Sequence, residues 1–169
     1  ILAKNASYTY NGVKVNIVTD FKNPNVKKCM KLIGDSKDYK GVFVDGATGL
    51  DMVSSETLLI LTDVNNPLMF EAPDIYDNVY KVAVIDHHRK TVDHINKAVI
   101  FYHEPNASSA SEMVTELIQY IPVDVKVPQV CAEALMSGIT LDTKNFVMKT
   151  GVRTFEAAAY LRSLGADTV

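Results

Sequence analysis

Asp86, His87 and His88 stand consecutively, three side chains that can bind cations or move protons. They follow Val82-Ala83-Val84-Ile85, an apolar run without polar alternation that reads as a strand buried on both faces, as in parallel sheets. Ligand sites of open α/β sheets lie at the carboxyl ends of such strands, which is where this triplet falls. Two more acids close structured runs. Asp63 follows Thr57-Leu58-Leu59-Ile60-Leu61-Thr62, and Asp142 follows an alanine-rich helical stretch from Val127 to Leu141. Carboxylate and imidazole donors suit a hard divalent cation such as manganese, and the lack of cysteine ligands argues against structural zinc. An imidazole can also donate a hydrogen bond or a proton as charge develops on a reacting group. The plain alternative is a set of polar residues closing strands and helices, with the histidines hydrogen-bonded at the surface. Arg89 beside them reads equally as a solvated cation or a phosphate contact.

These groups meet only if the elements between them allow it. Thr57 to Asp63 reads, like Lys81 to Asp86, as a strand buried on both faces, with Pro67 and Pro73 breaking the connection and a short helix fitting Asp74 to Asn78. Parallel strands joined by such a crossover lie in one sheet, often side by side, with a right-handed connection. Asp63 and His87 then share one sheet end. Upstream, Val13 to Thr19 alternates and reads as a strand nearer an edge. Pro24 to Ile33 reads as a helix stopped by Gly34, Val42 to Val44 as a short strand, and Ala47 to Val53 as a helical turn or two.

Downstream, Ala98 to Tyr102 predicts a fourth strand. Ser109-Ala110-Ser111-Glu112 fits a capping box, opening a helix with Met113, Val114, Leu117, Ile118 and Ile121 on one face. Ser109 therefore reads as a cap, with a phosphate resting on that helix N-terminus as the functional alternative. Asp142 ends the next helix, which Gly138 interrupts, and faces the negative end of its dipole. A bound cation would explain an acid there. Arg153 to Leu164 predicts a last amphipathic helix with Phe155, Ala158, Ala159, Leu161 and Leu164 inward.

At 169 residues and 47% hydrophobic, the sequence suffices for one core and one domain. Its net charge of −3, without a basic run, does not advertise sequence-independent nucleic-acid binding. No apolar stretch approaches bilayer-spanning length. Cys29 and Cys131 sit in helix-like contexts and read as reduced, buried residues.

Asp63, Asp86-His87-His88 and Asp142, in this order and spacing, resemble the DHH phosphoesterase superfamily, named for its Asp-His-His triplet. The likeness covers nearly the whole chain. It sharpens in Val84 to Arg89, in Glu104-Pro105 followed by Ala107-Ser108-Ser109, in Glu112 to Leu117 and in Asp142-Thr143-Lys144-Asn145-Phe146. Thr150 to Ala158 and Leu164 to Val169 extend it. Within the superfamily the sequence looks most like the catalytic part of GdpP-type cyclic-di-AMP phosphodiesterases. Asn106 departs from that group, standing where an aromatic residue is expected.

The resemblance implies an α/β domain, a mostly parallel sheet flanked by helices. It implies a two-manganese site in which Asp63 bridges both ions while His87 and Asp142 bind one of them. His88 would meet the substrate phosphate or the leaving group, with Asp86 acting from behind it. Arg89 and Ser109 are the substrate-binding candidates. The implied reaction is hydrolysis of cyclic di-AMP to a linear dinucleotide. Linear dinucleotides, short oligonucleotides and pyrophosphate are substrates of other branches, and a degenerate nucleotide-sensing module is the non-catalytic alternative. The family's first metal motif, His-x-x-x-Asp-x-Asp, does not occur in the sequence. It is expected upstream of Ile1, since Ile1 to Ala6 reads as the last turn of a helix, and the family's C-terminal substrate-gripping domain is likewise outside the sequence. Residues 1–169 are thus expected to form one N-terminally truncated domain holding at most one manganese ion, weakly. The expected partners are a small nucleotide and no duplex nucleic acid, with a homodimer left open. The expected compartment is the cytoplasm, any membrane anchor of the parent lying in segments outside this sequence.

Overall fold

The computed structural model describes residues 15–19, 42–121 and 126–167, together with Pro24, Lys27, Met30, Lys31, Ile33 and Tyr39. The apolar runs become short parallel strands. Two of them, β1 (Ile17–Val18) and β2 (Phe43–Val44), pair with each other ahead of helix α1 (Gly46–Asp51). Strand β3 (Leu58–Thr62) follows, then a 3-10 turn at Pro67–Met69, helix α2 (Pro73–Asn78) and strand β4 (Lys81–Asp86). Strand β5 (Ile100–His103) precedes three helices, α3 (Ala110–Tyr120), α4 (Gln129–Asp142) and α5 (Val152–Ser163). The second sheet has the order β3-β4-β5, every pair parallel. This is the α/β arrangement expected, with helices flanking parallel strands.

Strand β4 lies in the middle, and its burial accounts for its sequence. Val82 and Val84 are fully buried and pack with Ile75, Val79 and Ile95. Burying each such side chain stabilises by about 1.5–3 kcal/mol. Helix α3 packs against β4 and also against α4 and α5. Helices α4 and α5 share a separate core of Ala132, Met136, Ile139, Ala157 and Leu161, joined by Ala166 just beyond α5. Cys131 is buried beside Ile33, Tyr39 and Val42, its Sγ 3.4 Å from the Tyr39 hydroxyl. Among the described residues, no helix is long and apolar enough to cross a membrane.

Four expectations need correction or trimming. Strand β3 is not buried on both faces: Leu58 and Ile60 are 50% and 42% exposed, because β3 is an edge of its sheet among the described residues. The fourth strand runs over Ile100–His103, starting two residues and ending one residue later than Ala98 to Tyr102, and its last residue pairs with Asp86. Helix α5 buries Thr154, Ala157 and Leu161, whereas Phe155 is exposed and stacks on Phe146 at 5.7 Å. The run from Val13 is a strand only at Ile17–Val18, its first two residues lying outside the described ones. Cys29, the segment Ile1 to Ala6, Thr168, Val169 and much of the helix expected from Pro24 to Ile33 also lie outside them.

Gly138 shows why α4 tolerates a helix-weakening residue. A Cβ at that position would lie 2.1 Å from the Ser111 hydroxyl oxygen and 3.0 Å from its Cβ. Glycine lets α4 approach α3 more closely than any other residue could. Gly138→Ala should therefore lower stability by about 1–3 kcal/mol through overpacking, with Ser111→Gly recovering most of the loss. Urea unfolding of the single and double variants checks this, and a Gly138→Ala chain as stable as the parent would show that the contact relaxes freely.

Candidate metal centre

Sheet register assembles the site. The Asp63 amide donates to the Ile85 carbonyl at 2.9 Å, extending the β3–β4 ladder one residue past Thr62. There the chain turns, with Asp63 at φ 65, a left-handed conformation that aspartate tolerates better than most residues. On the other side of β4, Asp86 pairs with His103. Asp63, the Asp86-His87-His88 triplet and His103 are thus gathered at one end of the sheet.

The two adjacent histidines are held differently. His87 is 6% exposed, and its Nδ1 lies 3.1 Å from the Ala107 carbonyl oxygen. A carbonyl only accepts, so Nδ1 carries a hydrogen, and in the neutral ring the lone pair left for a cation is that of Nε2. Nε2 faces Asp63 Oδ1 at 3.4 Å and Asp142 Oδ2 at 3.7 Å. These separations are long for hydrogen bonds. They match the scale of ligand–ligand edges around a small divalent ion with bonds of about 2.0–2.2 Å. Anchoring the far nitrogen on a carbonyl is also how ligating histidines are oriented. Donor types and spacing therefore fit a cation.

His88 is half exposed, and its Nδ1 lies 2.8 Å from Asp86 Oδ1. The same nitrogen is 3.8 Å from Asp63 Oδ1, so Asp63, His87 and His88 form a group that could share an ion. The bond to Asp86 is far the shorter, which leaves His88 Nε2 as the free end of the ring. Asp86 itself is fully buried. Its Oδ1 also accepts from the His88 amide at 3.2 Å, and its Oδ2 accepts from Asn65 Nδ2.

Asp142 is the last residue of α4, as expected. The fully buried Thr143 caps that end, its hydroxyl donating to the Ile139 carbonyl at 2.7 Å and accepting from the Phe146 amide at 2.9 Å. Lys144, Asn145 and Phe146 follow with φ of 49, 59 and 63, a left-handed turn of three non-glycine residues. Partial burial, then the Asp142 carboxylate, push the Asp63 carboxyl above the usual range, while His88 and His87 act the other way. A cation would reverse that logic.

Not every candidate joins the cluster. Arg89 is exposed beside His88. Ser109 is 1% exposed, and its hydroxyl accepts from the Glu112 amide at 3.0 Å, the capping role of the box. The other half of the box differs, because Glu112 Oε2 accepts from the Ser108 hydroxyl at 2.5 Å. Three groups were not singled out from the sequence: Asn65, His103 and the Ala107 carbonyl. His103 Nε2 donates to the His88 carbonyl at 2.6 Å, and Asn65 Nδ2 reaches the same oxygen at 3.1 Å. The position of Asn65 two residues beyond Asp63, at the same strand end, was the available signal for it. A backbone carbonyl leaves no such trace.

Parallel strands ending on a histidine–carboxylate cluster define an α/β protein with a group of donors that could hold a cation. The chain belongs to the DHH family: the pattern of the DHH family, N-terminal domain, matches residues 4–139. It is 41% identical over 147 residues to the cyclic-di-AMP phosphodiesterase PdeA of Listeria monocytogenes, covering 87% of this chain and 22% of that protein. It is 39% identical over 142 residues to the cyclic-di-AMP phosphodiesterase GdpP of Bacillus subtilis, covering 82% and 22%. The chain thus spans about a fifth of the length of the curated relatives it matches. The fold is shared with an exopolyphosphatase-related protein of Bacteroides fragilis, at a TM-score of 0.76 and 20% identity, covering 98% of this chain and 47% of the other.

The raised Asp63 carboxyl has a consequence for stability. A carboxyl that binds its proton more tightly in the folded chain than in the unfolded one takes stability away wherever it is ionised in both states. It returns that stability as pH falls through its folded value. In chelator, Asp63→Asn should melt at a higher temperature than the parent near neutral pH, and the gap should close on acidification. Equal melting at neutral pH would show that the carboxylate is not strained in the metal-free chain.

Proposed function

We propose that the chain is the metal-binding part of a phosphodiesterase that hydrolyses cyclic di-AMP to a linear dinucleotide with two manganese ions. The observation that carries this reading is His87, whose Nδ1 is anchored on the Ala107 carbonyl while Nε2 faces both Asp63 and Asp142. Two relatives near 40% identity named as cyclic-di-AMP phosphodiesterases support the substrate. In this reading His87, Asp142 and Asp63 are the residues of this chain that would hold the metal. Divalent cations bound there would polarise phosphoryl oxygens and lower the pKa of water.

The remaining roles belong to the chain's own groups. Asp86 holds His88 by Nδ1, which leaves Nε2 to meet the phosphate or the leaving oxygen and to hold or pass a proton there. Arg89, exposed next to it, is assigned to a phosphate oxygen. Ser109, which caps its helix, contributes by fixing the loop that carries the Ala107 carbonyl.

In the full-length protein, removal of metal should abolish turnover and manganese should restore it. His87→Ala and Asp142→Ala should each cost at least about 100-fold in activity and lower manganese affinity, since even groups that only orient ligands are worth about 10–100-fold. Full activity in either variant would remove that residue from the ligand set. Cyclic di-AMP should be cleaved faster than linear di-AMP or pyrophosphate when the three are assayed side by side. A strong preference for pyrophosphate would move the protein to another branch of the superfamily.

A further inference from the structure

We infer that Asn65 is a positioning residue for His88, acting through the Asp86 carboxylate and through the His88 backbone carbonyl. The inference rests on the proposed role of His88 at the phosphate.

Asn65 is 4% exposed, and its carboxamide nitrogen meets two acceptors, Asp86 Oδ2 and the His88 carbonyl at 3.1 Å. Both acceptors belong to the Asp-His-His triplet, and neither is on Asp63 or Asp142, the two acids that face His87 Nε2. A primary amide nitrogen has two hydrogens, so this pair of bonds uses its donor capacity in full. The same segment is fixed from behind, because the Asn65 carbonyl accepts from the amide of the buried Ile95 at 2.8 Å. Asn65 is therefore held by the core and reaches outward to the site.

The dependence runs one way. The bond to Asp86 is the strong one holding the His88 ring, whose side chain is 57% exposed. Asp86 is fully buried, and its two oxygens take three donors: the His88 amide, His88 Nδ1 and Asn65 Nδ2. Removing the Asn65 donor leaves Oδ2 without the partner the structure gives it, and a buried carboxylate turns toward whatever donors remain. Turning it breaks the alignment that fixes His88 Nδ1 as the bonded nitrogen. The same substitution removes one of two donors from the His88 carbonyl, the other being His103 Nε2 at 2.6 Å. Ring and backbone of His88 would loosen together, while the Ala107 anchor of His87 is untouched.

The test uses Asn65→Leu, which keeps the size and removes both donors, and Asn65→Ser, which keeps one donor and guards against a chain that fails to fold. In the 169-residue chain labelled with nitrogen-15 at its four histidines, long-range proton–nitrogen spectra read which His88 nitrogen carries hydrogen. The parent should show one form with the hydrogen on Nδ1, and the variants a mixture of forms for His88 alone. In the full-length protein, Asn65→Leu should lower kcat about 10–100-fold, with KM and manganese affinity changed less than about threefold, and Asn65→Ser should fall between it and the parent. In a His88→Ala background, Asn65→Leu should cost nothing further, since groups that act as a unit are not additive. Additive losses, or His88 signals identical in parent and variants, would overturn the inference. If the parent protein fails to turn over cyclic di-AMP at all, the functional reading fails, while the histidine spectra still decide whether Asn65 positions His88.

Discussion

A carboxylate without exposure to water closes the central strand, and the geometry of the site follows from its need for donors. Burying Asp86 after the apolar run Val82 to Ile85 is costly unless its oxygens are hydrogen-bonded. Its oxygens are satisfied by His88, through amide and ring, and by Asn65 from the end of β3. Its backbone carbonyl accepts from the Glu104 amide at 3.2 Å, just past β5. One residue therefore ties the ends of three neighbouring strands. A slip of one residue in either pairing would turn Asp86 to the other face and leave it without those partners.

The same construction separates two imidazoles whose rings are only 4.6 Å apart. His87 is bonded to a backbone carbonyl and turns its free nitrogen inward to two acids, whereas His88 is bonded to Asp86 and turns its free nitrogen outward. Second neighbours keep this division in place. The Ala107 carbonyl belongs to a loop stapled by the Ser108–Glu112 hydrogen bond and by the Ser109 cap on α3. Arg153 on α5 grips Glu116 of α3 with two bonds of 2.7 Å, so α3 cannot shift without breaking a bidentate ion pair. Burial at β4 and charge pairing on the helices thus serve one end, a fixed orientation for His87.

Much of this was legible in the sequence, for physical reasons that also mark where reading stops. The run Val82-Ala83-Val84-Ile85 has no polar residue because both faces of β4 are covered, and the triplet after it falls at the carboxyl end of a parallel strand. The similar run Leu58 to Leu61 misleads, because hydrophobicity alone does not distinguish a central strand from one whose outer face is open. In α5 the alanine-rich pattern permits more than one buried face, and the choice is made by packing on α4, which excludes Phe155. Glu112 sits where a capping box puts its glutamate, yet a nearer serine hydroxyl captures it. Asn65 and Ala107 act through contacts 21 and 20 residues distant in sequence, and no local pattern records those.

The acids on either side of His87 Nε2 share a further feature. Among the described residues, the non-glycine positions with positive φ are Asp63, Lys144, Asn145, Phe146 and Lys149. One of these is an acid of the site, and three follow closely after the other. Left-handed backbone costs about 1–2 kcal/mol per residue, so the turn after Asp142 persists only because surroundings impose it. They do so with bonds from the Asn145 amide to the Thr140 carbonyl and from the Val147 and Met148 amides to the Thr143 carbonyl, at 2.8–2.9 Å. Stacking of Phe146 on Phe155 adds to them. Asp142 meanwhile occupies the helix end where its charge is least welcome. Local preference would relax both places, yet packing holds them. The positions of the two acids are therefore set by folding itself, so the cation site proposed for them would need no further ordering of these residues on binding.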